Sequence, residues 1–178
     1  MALVVLGAGL IHLAIAAGSP LGAAIGMGAL GAVELGWGLA VLARGSVLFP
    51  TAALIGSLAP VALWGLLATA RVAGGESALT DFLPLGPLTA ASVLNLAVAL
   101  LLAIDRRPRP VKAHADSAAR PGRYLLGMVL GAMAVAGIVT PALAATNAGM
   151  YAVPHGEHGT PAPSDNLQLP GDDTHSGH

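Results

Sequence analysis

The sequence predicts an all-α integral membrane protein, a bundle of five transmembrane helices followed by a largely irregular polar C-terminal tail. Three observations carry that expectation. Of 178 residues 55% are hydrophobic and only 10% charged, where a soluble domain typically carries about 25% charged residues. Five apolar segments without an interior Lys or Arg fill residues 2–146. Beyond residue 146 the composition turns to Pro, Gly, Asp, Asn, Ser and His, a mixture with too little apolar surface to build a core, so residues 147–178 are expected to be largely disordered when alone.

A helix rises about 1.5 Å per residue and must cross roughly 30 Å of hydrocarbon, so about 20 apolar residues make one span. The five segments fall near residues 2–18, 22–43, 47–70, 84–104 and 123–146. The first is the shortest, and Gly18, Ser19 and Pro20 supply the turn that follows it. It lacks the basic flank of a signal peptide, so it is counted as a retained span rather than a leader. Pro60 and Pro141 each remove a backbone donor inside a span and are expected to kink it.

The charges are segregated. Six of the eight Lys and Arg, namely Arg106, Arg107, Arg109, Lys112, Arg120 and Arg123, lie in or at the edge of the loop 105–122 between spans four and five. Arg44 lies between spans two and three, on the same side of a five-span chain, and only Arg71 falls opposite. By the positive-inside rule the N-terminus is then cytoplasmic and the tail extracytoplasmic, in a multi-pass protein of the plasma membrane. Tyr124 and Tyr151 suit interfacial positions. The basic loop reads as a topology determinant that also meets anionic lipid headgroups. No aromatic residue stands among its charges, which argues against a nucleic-acid partner.

Small residues mark helix-packing faces. Span two carries Gly22, Gly26, Gly28, Gly31, Gly36 and Gly38, and span five carries Gly127 and Gly131; spacing of four lets two backbones approach. The same faces serve packing within one chain, a homo-oligomer or contact with other membrane subunits, and the sequence leaves these open.

Three polar residues inside the spans need an account: His12, Glu34 and Asn95. An ionised carboxylate in hydrocarbon costs several kcal/mol, so Glu34 must be protonated, paired or turned to a polar interior. With the turn placed at Ser19, His12 and Glu34 differ in depth by roughly 12 Å, which argues against a direct pair; Met27 lies nearer the level of His12. Interhelical hydrogen bonding is the favoured reading, ahead of a proton or ion pathway and of a buried metal or cofactor contact.

The absence of cysteine excludes disulfides, iron-sulfur clusters and Cys-x-x-Cys-His heme attachment. Nitrogen and oxygen donors remain. The tail holds two His-x-x-His pairs, His155 with His158 and His175 with His178, beside Glu157, Asp172 and Asp173. Imidazole is mostly neutral at pH 7 and free to coordinate, and such a set suits copper(II), zinc or nickel(II), of which copper or zinc is expected. A Gly- and Pro-rich segment does not hold ligands rigidly, which argues against a catalytic site.

The stretch from Thr140 to Gly159, with Gly9-Leu-Ile-His12 near the start, resembles small, largely uncharacterised multi-pass membrane proteins of high-GC bacteria that carry His-rich outer tails. The resemblance implies copper or other metal handling and supplies no catalytic residue. The expected role is a non-enzymatic accessory protein that binds or presents a transition metal outside, to a metalloenzyme or another membrane subunit. A structural subunit of a larger complex, or proton, ion or metal transport through the bundle, are the alternatives.

Overall fold

The computed structural model describes residues 1–73, 84–107 and 121–149. They form five helices: α1 Ala2–Ala17, α2 Leu21–Arg44, α3 Pro50–Val72, α4 Leu85–Asp105 and α5 Pro121–Ala144. The expected segments agree with these to within three residues at every boundary. The largest shift is at α3, which begins at Pro50 because Gly45 ends α2 in the left-handed conformation at φ 63° and residues 46–49 make the turn.

Proline sets the helix starts. Pro20 and Pro84 precede α2 and α4 as N-caps, and Pro50 and Pro121 open α3 and α5. The first N–H groups of a helix have no intrahelical acceptor, so a residue without one there, with φ already helical, removes an unsatisfied donor. No side-chain cap is made on α1 to α4. Both internal prolines are accommodated within continuous helices, Pro60 in α3 and Pro141 in α5.

Four helices, α2 to α5, are long and apolar enough to cross a membrane. The expectation of five such spans meets its exception at α1. Its 16 residues reach about 24 Å, short of the roughly 30 Å of hydrocarbon. This helix is instead the inner element of the bundle: Val5, Ala8, Ile11 and Ile15 are buried, and it packs on α2, α4 and α5, while α3 leans on α4. The exterior is apolar. Leu21, Ile25, Val33, Leu66 and Met133 are exposed, a surface that water would not tolerate over such an area.

The packing follows 3–4 spacing. Buried positions run Val5, Ala8, His12 and Ile15 on α1; Gly31, Glu34, Gly38 and Val41 on α2; and Ala91, Asn95, Val98 and Leu102 on α4. This is the stripe that lets one helix lie along another at a shallow angle. Gly9 and Gly31 bring the α1 and α2 backbones together, since a Cβ built on either meets the other's carbonyl oxygen at 3.0 or 2.8 Å. Gly7 makes room for side chains of α5, where a Cβ would stand 2.8 Å from Val139 Cγ2.

The expected glycine faces are therefore only partly used. Gly31 and Gly38 make close contact, but Gly22, Gly26, Gly36, Gly127 and Gly131 have no atom within 4 Å of a built Cβ. They look outward because α1 lies against the 3–4 stripe of Gly31 and Gly38, and the Gly22 and Gly26 pair falls on another face of α2.

Candidate functional site

Where the three inner stripes meet, the bundle buries a small polar cluster. His12 Nδ1 lies 2.7 Å from Glu34 Oε2, and Asn95 Nδ2 donates to Glu34 Oε1 at 3.0 Å. The three side chains are 3%, 8% and 2% exposed. One carboxylate thus ties α1, α2 and α4 together through both of its oxygens. The contact joins an imidazole nitrogen to a carboxyl oxygen, and either atom can carry the bonding hydrogen. It gives Glu34 a polar partner inside the bundle, which meets the requirement that a carboxyl group in this setting be paired.

The direct contact corrects the depth argument, which held His12 and Glu34 too far apart. Two causes account for the difference. Gly9 faces Gly31, Leu6 faces Gly38 and Ala16 faces Gly28. On that register His12 is level with about residue 30, leaving Glu34 only about 6 Å deeper rather than roughly 12 Å. Side chains on a helix also lean toward its N-terminus. In an antiparallel pair the leans are opposed, so His12 reaches down and Glu34 reaches up.

Two cavities flank the cluster in the gap between α2 and α3. The larger, about 220 Å³, is lined by Glu34, Ser57 and Asn95 among apolar groups that include Val98, Trp37 and Phe49. The smaller, about 40 Å³, is lined by His12 with Met27, Pro60, Trp64 and Ser92. Glu34 lines the larger cavity and its partner His12 the smaller, and Leu30 lines both. The expectation that Met27 sits near His12 agrees with this arrangement.

The turn before α3 shapes the larger cavity. Trp37 Nε1 donates to the Leu48 carbonyl at 3.0 Å, which pins the loop against α2. Phe49 follows with φ 46°, a left-handed conformation that costs a residue with a Cβ roughly 1–2 kcal/mol. The residue is 75% exposed and lines the cavity.

At the opposite end of the bundle, Asn147 Nδ2 donates to the Gly18 carbonyl at 3.0 Å and Thr146 Oγ1 accepts from Gly149 N at 3.2 Å. The first bond fastens the end of α5 to the α1–α2 turn, and the second closes the turn after α5 on itself. Among the described residues no group of three His, Asp or Glu side chains gathers for a metal ion. His155, His158, His175, His178, Glu157, Asp172 and Asp173 lie outside the described residues, as do Arg109, Lys112, Arg120 and Tyr151.

Compared with known proteins, the chain matches no family model, no curated protein and no solved structure.

Proposed function

We propose that this chain is a non-enzymatic membrane accessory protein, a locked helix bundle that holds the His-x-x-His segment at a membrane face, where it binds or presents copper or zinc. The observation that carries the scaffold reading is the closure of the buried polar groups on one another: His12, Glu34 and Asn95 satisfy each other across three helices. Such a cluster specifies packing rather than turnover. The metal reading rests on His155, His158, His175 and His178 in identical pairs with Glu157, Asp172 and Asp173 beside them.

The orientation we propose puts the N-terminus in the cytoplasm and the segment outside it, with α1 as a fifth, shielded span. Arg44, Arg106, Arg107 and Arg123 belong to the helix ends on one side and Arg71 to the other, which supports it. Partners of this arrangement are membrane lipids and a metalloenzyme or other membrane subunit.

Titration of Cu(II) and Zn(II) into the full chain in lipid nanodiscs tests the metal reading. Replacing the four tail histidines by Ala is expected to weaken binding by at least about tenfold. Equal, millimolar-range affinity of both proteins would refute it.

A second reading, proton transfer through the bundle, is favoured by one observation: the His12–Glu34 hydrogen bond joins two separate cavities. Proton flux in vesicles that falls to background in Glu34→Gln, and survives deletion of residues 147–178, would replace the accessory reading with this one.

A further inference from the structure

The 220 Å³ cavity has the chemistry of a ligand site, on evidence separate from the tail. Three helices turn hydrogen-bond acceptors into it. Glu34 Oε1 accepts one bond and Oε2 is bonded to His12, and each carboxyl oxygen has a further lone pair. Ser57 donates its hydroxyl hydrogen to the Leu54 carbonyl at 3.0 Å, leaving Oγ as an acceptor. Asn95 spends its Nδ2 on Glu34, and its Oδ1 makes no hydrogen bond among the described residues although no fully buried polar atom there lacks a partner, so Oδ1 is open to the cavity. A ligand must therefore bring a donor.

Size and walls narrow the class. Cavities of about 150 Å³ with apolar walls hold a benzene ring, so 220 Å³ accommodates one substituted ring. Trp37 and Phe49 offer aromatic faces at its edge. The lip, formed by Val33, Phe49 and Ala52, lies on the exposed apolar side of α2 and α3. Entry is from the hydrocarbon, which admits a membrane-soluble molecule and penalises a cation that would have to shed its water first. We propose that the cavity binds an alkylated phenol or hydroquinone, its ring between α2 and α3, its hydroxyl donating to Glu34 or to Asn95 Oδ1, and its alkyl chain leaving past Val33 and Ala52 into the bilayer.

The test uses the full chain in nanodiscs, carrying Trp64→Phe so that Trp37 alone reports. Para-decylphenol is titrated per mole of lipid and compared with para-decylanisole, the same molecule with its donor methylated. Saturable change in Trp37 emission with the phenol, weakened about tenfold for the anisole, is expected. In Ala53→Phe, which fills the cavity, the saturable change is lost. Equal responses to phenol and anisole would overturn donor recognition and mean that any acyl-like body enters. A response that never saturates, or one unchanged by Ala53→Phe in a protein of wild-type helicity, would overturn the site altogether.

Discussion

At the residue scale, the three members of the buried cluster are not equivalent. Glu34 bonds two neighbours, whereas His12 and Asn95 each hold one bond to it. Removing His12 leaves a buried Glu34 oxygen facing α1 without a partner. Glu34→Gln instead keeps an acceptor for Asn95 and gains an amide donor for His12 Nδ1, so both links survive in neutral form. His12→Leu is therefore expected to cost about 1–3 kcal/mol and Glu34→Gln less than about 1 kcal/mol, since interhelical bonds in membranes average around 0.6 kcal/mol. Unfolding in mixed detergent micelles measures both; the reverse order would mean that the cluster is not held together through the His12–Glu34 bond.

At the scale of the helices, glycines divide into those that set the spacing of the bundle and those that do not. Gly31 meets the backbone of α1, which cannot give way as a side chain can. Gly31→Ala is expected to cost about 1–3 kcal/mol by forcing the hairpin apart, and with it the His12–Glu34 bond. Gly131→Ala meets open space and should lie within about 0.5 kcal/mol of the wild type. Gel filtration of both variants alongside the stability measurement separates the alternatives: loss of a larger species in Gly131→Ala alone would assign the outer face of α5 to a second copy or another subunit. The sequence reading made these glycines a single class because four-residue spacing recurs in both. What separates them is the 3–4 pattern of Gly31, Glu34, Gly38 and Val41, matched by Val5, Ala8, His12 and Ile15. That pattern is one of burial, which residues alone do not reveal in helices apolar nearly all round, and it sets His12 and Glu34 on facing stripes.

At the scale of the whole molecule, the helical architecture was readable from hydropathy and proline placement, because apolar length and helix-opening prolines act locally. The register of the hairpin was not. It depends on how closely two backbones approach, and Gly9 opposite Gly31 moves the level of every residue on α2 relative to a turn drawn at Ser19. The two cavities were equally out of reach, since they exist only because α3 leans on α4 and leaves a gap against α2.

The short inner helix has a consequence for how the protein is made. At about 24 Å, with His12 in its middle, α1 is a poor candidate for stable insertion as it leaves the ribosome, and α2 follows it carrying Glu34 into the same lipid. Synthesised in succession, the two segments can enter as one hairpin in which His12 and Glu34 are already available to each other. Asn95 is made 61 residues after Glu34. Sequence order therefore lets Glu34 meet His12 before it meets Asn95.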